Sequence, residues 1–328
     1  MSCQAHRLAN ALVALGEQVT CFSFSERPVD ALYEHVGLRR TAKNRILAKF
    51  EAGLKFATLK TGMYDVLHYH GDDYLCRGSA CRVRTFYGSA LYEALHAGTF
   101  LRGIRQALFY LFEWLSCFRR GTGVGISETT VRALPLVKNI VPCGVPLSDY
   151  TPGRTKTPFP SILFVGDLDS RKRGRLLVEV FRSVIAPAVH TATLAVVGPQ
   201  GCEGPGIVYR GRIDEKELIE EYRSAWVYCC PSSYEGFGVP LVEAMACGTA
   251  VVACDNAGVR DIIQNNYNGL LCTPETLGAA LCRLLSDTVL RARLVANGHA
   301  FAKRYDISIV AQQYRMLYQD LRRKTGRQ

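Results

Sequence analysis

The chain has 328 residues, 48% of them hydrophobic and 21% charged, an ordinary globular composition at a length that favours two domains. No apolar run approaches the ~20 residues of a transmembrane helix. The net charge of +11 is spread along the sequence, and no nucleic-acid-reading motif accompanies it. We therefore expect no nucleic-acid partner, and an anionic small ligand or a phospholipid surface instead.

The cysteines indicate a reducing environment. There are 13 of them, with no C-x2-C pair, and Cys229, Cys230 and Cys254 lie inside strand-like runs. Such residues are typical of small buried hydrophobes in a cytosolic protein. We expect a cytoplasmic chain without a zinc site.

The first predicted element is a helix rather than a strand. Residues 3–15 have helical spacing, Gly16 ends the helix, and residues 19–24 form a strand. An α/β domain normally opens with a strand that lies in the middle of its sheet. The start of this chain is therefore unusual for the α/β class that the later elements indicate.

Two further strands end in polar residues. Residues 64–70 predict a strand with His70 at its end, and residues 82–87 predict another that ends at Tyr87 and runs into Gly88. Enzymes with parallel sheets place site residues at the carboxyl ends of strands. A histidine at such a position also commonly bonds to backbone, so a structural role for His70 stays open.

The aromatic segment 100–118 allows two interpretations. Its helical spacing is typical of a helix packed against the sheet, which we favour. Its flanking arginines are also typical of a helix that lies on an anionic membrane. These arginines are Arg102, Arg105, Arg119 and Arg120.

A proline-rich linker at residues 146–160 separates the two predicted domains. The second domain opens with a strand closed by Gly166, and a run of basic residues follows at 167–175. Basic side chains at a strand-to-helix turn suit a diphosphate, whose departing charge must be neutralised.

The most informative stretch is 231–248, PSSYEGFGVPLVEAMACG, which follows a predicted buried strand at 225–230. It predicts a glycine-bearing loop that contains Glu235 and a helix that carries Glu243 in its first turn. Backbone N–H groups at a helix start favour phosphate, and a carboxylate can accept hydrogen bonds from two neighbouring hydroxyls of a sugar.

The pattern E-G-F-G-x-P-x-x-E, followed by A-x-A-C-G-T-x-V-V, resembles the Glu-x7-Glu signature of the family 4 retaining glycosyltransferases. The resemblance implies the α/β GT-B fold, with two Rossmann-like domains whose parallel sheets face each other across a cleft. It implies an acceptor-side domain at 1–150 and a nucleotide-sugar-binding domain at 151–305. A helix and basic tail at 306–328 would cross back to the first domain.

The resemblance also implies roles for individual residues. Glu243 would hold the ribose hydroxyls and Glu235 a donor-sugar hydroxyl, while a lysine would stabilise the leaving diphosphate. Counting along the loop leaves Lys172 and Arg173 both open as that lysine's equivalent. The implied catalytic residues are Glu235, Lys172 and Arg173, and the implied donor-binding residues are Glu243, Phe237, Gly238, Gly166, Arg171, Leu241 and Arg212. The acceptor-side residues would be His70, Tyr87 and Gly88.

The chain departs from the family pattern at three places. Asp167 stands where the family has a phosphate-binding arginine, and Tyr87 stands where it commonly has a histidine. Residues 4–12 resemble the family's first helix, but the usual preceding strand and Gly-Gly loop are missing. We therefore expect the reading frame to continue upstream of Met1 for roughly 15–25 residues, enough for one strand and one loop.

The resulting hypothesis is a retaining glycosyltransferase that moves a sugar from a nucleotide-sugar to a glycan or glycolipid, with no metal cofactor. Its location would be cytoplasmic, with peripheral contact to the inner face of a membrane as an open option. Two alternatives remain. One is an inactive nucleotide-sugar-binding module, and the other is a nucleotide-sugar epimerase of the same fold.

Overall fold

A computed structural model describes residues 3–41, 47–76, 81–96, 99–201 and 203–326. These residues form two compact units. The first lies within 1–95, 101–144 and 307–328, and the second within 96–100 and 145–306. The second unit is therefore largely an insertion into the first.

The first unit contains short parallel strands and the helices that connect them. In chain order its elements are α1 (Cys3–Ala14), β1 (Thr20–Ser23), β2 (Glu34–Gly37), α2 (Leu47–Thr58), β3 (Leu67–Tyr69), β4 (Arg82–Phe86), α3 (Ala90–Leu95), α4 (Phe100–Cys117), β5 (Thr122–Gly125), α5 (Glu128–Ala133) and β6 (Asn139–Ile140). Ser127 caps α5 by accepting a hydrogen bond from the backbone N–H of Thr130.

The strands of the first unit form two separate parallel sheets, β1-β2 and β3-β4-β5-β6. No described strand joins β1 to β3. The expectation of an upstream strand stays a prediction.

The second unit alternates strands and helices regularly. Its elements are β7 (Ser161–Val165), α6 (Gly174–Val180), a π-helical turn (Phe181–Ile185), α7 (Ala186–Ala188), β8 (Thr193–Val197), β9 (Ile207–Gly211), α8 (Glu215–Ser224), β10 (Val227–Cys230), α9 (Val239–Ala246), β11 (Ala250–Cys254), α10 (Ala257–Arg260), β12 (Leu270–Cys272), α11 (Leu277–Ser286), α12 (Thr288–Ala302) and a 3-10 turn (Lys303–Tyr305). Asp214 and Glu217 form a capping box at the start of α8.

These strands form one six-stranded parallel sheet in the order β12-β11-β10-β7-β8-β9. Counted from β7 this is the doubly wound order 3-2-1-4-5-6, whose switch point lies between β7 and β10. Every residue of β10 and β11 is buried, because helices cover both faces of the sheet. The predicted two-domain α/β architecture with parallel sheets is confirmed.

The chain returns to the first unit in the long helix α13 (Ile307–Thr325). Val310, Ala311, Tyr314 and Leu321 of α13 share a core cluster with Leu8 and Leu12 of α1. Within the predicted helix and basic tail at 306–328, the helix continues to Thr325.

Two smaller features complete the fold. The twelve cysteines among the described residues all carry free thiols, and eight of them are buried. In the same part of the chain, no helix has the length and apolar character that crossing a bilayer requires.

Candidate functional site

The candidate site lies at the switch point of the second unit, where the loops after β7 and β10 meet. The backbone N–H of Ser233 donates to the carbonyl of Arg171 at 2.9 Å and ties the two loops together. Ligands of open α/β sheets bind at this point, because the connections on its two sides run to opposite faces of the sheet. The sheet order thus brings together residues 166–173 and 231–238.

Glu235 is the centre of this site. Its side chain is only 5% exposed, although it carries a carboxylate. Lys172 Nζ lies 2.6 Å from Oε1, and Arg171 Nη1 lies 3.2 Å from Oε2. The hydroxyl of Ser232 donates to Oε1 at 2.6 Å. A buried carboxylate with this set of donors is stabilised in its ionised form.

The pKa of Glu235 is the outcome of opposing effects. Burial raises it, but the charges of Lys172 and Arg171 and the hydrogen bonds from Lys172 and Ser232 lower it by more in total. The pKa therefore lies below its usual value, and the carboxylate is ionised at neutral pH. The same contacts fix both cations beside the loop.

The backbone of Glu235 is held as firmly as its carboxylate. Its N–H donates to Oδ1 of Asn256 at 3.2 Å, and the Asn256 amide donates to the carbonyls of Ser232 and Cys254. Gly258 in α10 lies so close that a Cβ there would be 1.8 Å from the Glu235 carbonyl oxygen. Only glycine fits this approach.

Glu243 lies further along α9 than its sequence suggested. It is the fifth residue of the helix rather than a first-turn residue, because α9 begins at Val239. Its side chain is buried and accepts a hydrogen bond from the Tyr222 hydroxyl at 3.1 Å. Gly238 caps the helix with φ at 91°, a left-handed conformation that glycine adopts without steric cost.

The loop after β7 directs the two candidate cations, Lys172 and Arg173, to different places. Lys172 packs against Gly166, where an added Cβ would lie 3.0 Å from the lysine Cγ, and its amine reaches Glu235. Arg173 precedes α6 in a left-handed conformation with φ at 52°. It lines a separate groove of about 460 Å³ with Arg175. Of the two, Lys172 is the one that the structure brings to Glu235.

The remaining donor-side candidates differ in what they can offer a ligand. Phe237 is buried against Tyr305, with ring centroids 5.3 Å apart, and Leu241 is fully buried. Their side chains are therefore taken up by the core, and their backbone groups remain as candidates. Arg212 follows β9 and is exposed.

The acceptor-side candidates form a cluster in the first unit, described here by itself. His70 Nδ1 lies 2.7 Å from the Tyr87 hydroxyl, and the two rings stack. Burial, and then the charge of Arg84, lower the pKa of His70 to about 3. Gly88 follows with φ at 113°. His70 is therefore a neutral imidazole paired with Tyr87.

Sequence reasoning missed three residues of the site. Ser232, Asn256 and Gly258 all act on Glu235, but none was a candidate. Asn256 stands directly before the start of α10, and an asparagine in that position was the available signal. Within the described ranges, no three His, Cys, Asp or Glu side chains are grouped so that they could hold a metal ion.

The sequence comparisons agree with the position of this site. Residues 159–287 match the family model described as Glycosyl transferases group 1, and this segment contains the Glu235 contacts and Glu243. The chain is 32% identical over 200 residues to a phosphatidyl-myo-inositol mannosyltransferase of Mycobacterium tuberculosis, covering 55% of this chain and 53% of that protein. The chain thus spans about half the length of the curated relatives it matches.

A second relative, with a different named activity, matches the chain over a shorter segment. Over 105 residues the chain is 36% identical to the N,N'-diacetylbacillosaminyl-diphospho-undecaprenol alpha-1,3-N-acetylgalactosaminyltransferase of Campylobacter jejuni. This match covers 31% of the chain and 28% of that protein.

Solved structures identify the fold. Sucrose-phosphate synthase from Thermosynechococcus elongatus matches with a TM-score of 0.77 and 22% identity, covering 97% of this chain and 92% of that one. WaaG, a glycosyltransferase of lipopolysaccharide biosynthesis, matches with a TM-score of 0.74 and 16% identity over 95% and 94%. Anabaena HepE in complex with UDP-glucose gives 0.72 and 14% over 97% and 95%. The two α/β units have the GT-B fold.

Proposed function

We propose that the chain is a retaining glycosyltransferase that transfers a sugar from a nucleotide-sugar to a glycan or glycolipid. The observation that carries this proposal is the buried Glu235 carboxylate, held by Lys172 and Arg171 at the switch point of the second unit. The family match over the same residues supports it. So do the names of the relatives, which include a mannosyltransferase and an N-acetylgalactosaminyltransferase.

In the proposed reaction, the bond between the anomeric carbon and the diphosphate oxygen breaks. A new bond forms from the anomeric carbon to an acceptor oxygen, whose proton passes to the departing diphosphate. Negative charge grows on the departing nucleoside diphosphate, so fixed cations close to it lower the barrier. Lys172 and Arg171 supply those cations, and Glu235 both holds them in place and accepts a hydrogen bond from a donor-sugar hydroxyl. The proposal requires no metal ion, because these side chains supply the positive charge.

Glu243 is proposed to bind the ribose of the donor. One carboxylate can accept hydrogen bonds from both ribose hydroxyls. Tyr222 holds the side chain in position through its 3.1 Å hydrogen bond. HepE, which shares the fold, was solved with UDP-glucose bound, and this supports the choice of nucleotide-sugars as the donor class.

The test compares carboxylate variants of the full chain. Glu243→Gln is expected to weaken binding of UDP or GDP by about 10- to 150-fold in calorimetry, because a charged hydrogen-bond partner contributes roughly 1.5–3 kcal/mol. Glu235→Gln is expected to lower the rate of nucleoside diphosphate release from UDP-glucose or GDP-mannose by more than it weakens binding. Glu179→Gln, an exposed carboxylate on α6, serves as the matched control.

The inactive binding module remains the second candidate because of Asp167. Its carboxylate accepts a hydrogen bond from the backbone N–H of Asp169, so a negative group stands where the family has a cation. Nucleotide binding without release of nucleoside diphosphate from UDP-glucose or GDP-mannose would favour this alternative. Binding that Glu243→Gln and Glu179→Gln leave equally unchanged would overturn the ribose assignment.

A further inference from the structure

Two cysteines stand side by side in the sheet of the second unit. Cys254 is the last residue of β11 and Cys272 the last residue of β12, and the parallel register pairs the two directly. Side chains of residues paired in this way leave the sheet on the same face. Both thiols are free, and they hydrogen bond to each other.

The pair lies at the border of the core rather than at its centre. β12 is an edge strand of the sheet, and the two cysteines occupy the carboxyl ends of their strands. Cys272 keeps 8% of its surface exposed. Two residues further along, Pro274 lines the groove of about 460 Å³ that also contains Arg173. The Cys272 side chain is thus within reach of a small dissolved reagent.

The surroundings of Cys254 favour its thiolate. The hydrogen bond from the Cys272 thiol and the charge of Arg173 lower the pKa of Cys254 by more than burial and the charge of Glu275 raise it. For Cys229, on the neighbouring strand β10, burial raises the pKa well above its usual value. The thiolate is the reactive form of cysteine, so Cys254 is the better nucleophile of the two.

A bond between the two sulfur atoms would be strained. Neighbouring strands lie about 4.7–4.9 Å apart, whereas the Cβ atoms of a relaxed disulfide lie about 3.5–4.5 Å apart. The bond therefore forms only when the two strand ends move toward each other. Strained disulfides are reduced more easily than relaxed ones, so the pair suits reversible oxidation rather than a permanent cross-link.

The end of β11 is connected to the candidate site through one side chain. The Asn256 amide donates to the carbonyl of Cys254 at 3.2 Å, and Oδ1 of Asn256 accepts from the Glu235 backbone N–H at 3.2 Å. The backbone N–H of Asp255 donates to the carbonyl of Cys272 at 2.8 Å. A movement of the two strand ends is therefore passed to the backbone of Glu235.

We propose that Cys254 and Cys272 are a modification site, at which a hydroperoxide forms a reversible disulfide that slows the proposed sugar transfer. The Cys254 thiolate attacks the peroxide oxygen, which gives a sulfenic acid and releases an alcohol. The Cys272 sulfur then displaces water and forms the S–S bond. Two thiols are oxidised and one hydroperoxide is reduced to an alcohol and water. A dithiol reverses the reaction by thiol–disulfide exchange.

The first test is formation of the bond, which does not depend on the proposed function. The full chain is reduced, treated with hydrogen peroxide, alkylated and digested for mass spectrometry. A peptide pair cross-linked through Cys254 and Cys272, lighter by two hydrogen atoms, is expected. It should open in reduced glutathione, in which a relaxed structural disulfide persists.

Two serine variants complete this test. Cys272→Ser is expected to abolish the cross-link. Cys229→Ser, at a buried cysteine of β10, is the matched control and should retain it. Circular dichroism checks that each variant folds. Cys272→Ala replaces Cys272→Ser if a hydroxyl at this position prevents folding.

The effect on transfer rests on the proposed function and is measured separately. Oxidised wild type is expected to release nucleoside diphosphate from UDP-glucose or GDP-mannose about tenfold more slowly than reduced wild type, because small displacements of a positioning group are costly. Peroxide should leave the rate of Cys272→Ser unchanged. Hydrogen exchange of the 231–238 peptide gives the same comparison without a donor, and oxidation should make this exchange faster.

Two results would overturn the proposal. One is peroxide-treated wild type without the 254–272 cross-link. The other is a cross-linked chain whose rate and hydrogen exchange at 231–238 equal those of the reduced chain. If the reduced chain releases no nucleoside diphosphate, the proposed function fails, and the cross-link and the exchange still decide whether the site is a switch.

Discussion

At the scale of single residues, Glu235 has little freedom to move. Lys172 and Ser232 both bind its Oε1 at 2.6 Å, while Asn256 and Gly258 fix its backbone. In the proposed reaction this restraint would keep Glu235 aligned with the donor sugar, because small displacements of a positioning group cost large factors in rate. We therefore expect substitution of the residues that hold Glu235 to lower the rate of transfer, as substitution of Glu235 itself would.

Gly258→Ala tests this restraint. Alanine is normally favoured over glycine in a helix, so a simple effect on α10 would stabilise the protein. We expect destabilisation of about 1–3 kcal/mol instead, because the new Cβ would overlap the Glu235 carbonyl. Thermal or urea unfolding measures the change, and sugar transfer should fall in parallel.

Gly62→Ala is the control for this substitution, since beyond the glycine and its two chain neighbours no atom lies within 4 Å of the position of its Cβ. It should change the free energy of unfolding by less than about 0.5 kcal/mol. Equal effects of the two variants would mean that the loop at Glu235 adapts freely.

The residue types at the site explain what could be predicted. Glu235 and Glu243 were predicted because they stand in a motif of fixed spacing, whereas Lys172 was predicted only as one of two candidates in the basic loop. Ser232 and Asn256 were not, because serines and asparagines are common in loops and their role here depends on which loop the sheet order places beside them.

At the scale of elements, the turn between β7 and α6 decides which basic residue faces the site. Counting from either end of the loop left Lys172 and Arg173 equivalent. The left-handed backbone at Arg173 turns its side chain toward the groove with Arg175, while Lys172 points to Glu235. Backbone conformation of this kind cannot be read from the spacing of residues.

Alanine variants of this turn test the assignment. Lys172→Ala is expected to lower transfer at least tenfold, because it removes a cation 2.6 Å from Glu235. Arg173→Ala should lower transfer by less than about threefold, and it serves as the matched control. Rates at saturating donor, measured by release of nucleoside diphosphate, give the comparison. Equal losses would show that both cations act on the phosphates.

Amphipathic elements were predicted less completely than buried ones. The helix at α4 was expected from the spacing of its aromatic residues, but that spacing does not predict that its leucines are exposed. The short elements β2 and α3 were not predicted, because four to six residues with mixed polarity carry little periodicity.

At the scale of the whole molecule, the two units differ in the size of their sheets and in how completely the strands are buried. The second has one six-stranded sheet with fully buried central strands. The first has a two-stranded and a four-stranded sheet, and none of the residues of β2 is buried. Two-stranded sheets are marginal without further support. The repeated strand–helix pattern predicted that both units are of the α/β class. It did not predict that the first unit has two separate sheets, because the pattern does not specify which strands pair.

Hydrogen exchange should reveal this difference. Backbone amides of β10 and β11 are expected to exchange most slowly, because their opening requires disruption of the main core of the second unit. Amides of β1 and β2 are expected to exchange at least a hundredfold faster. Mass spectrometry of peptides from each sheet measures both. Similar protection in β1 and β10 would contradict the prediction.

The return of α13 to the first unit has a consequence for synthesis on the ribosome. Leu8 and Leu12 share their core cluster with residues 310–321, yet the 145–306 segment is translated in between. At ~5–20 residues per second, that interval lasts on the order of 10–30 s. The second unit, which is nearly contiguous in sequence, can fold while it emerges, whereas the first cannot be completed until α13 has been made. A nascent chain stalled before residue 307 would therefore expose the apolar face of α1 to chaperones.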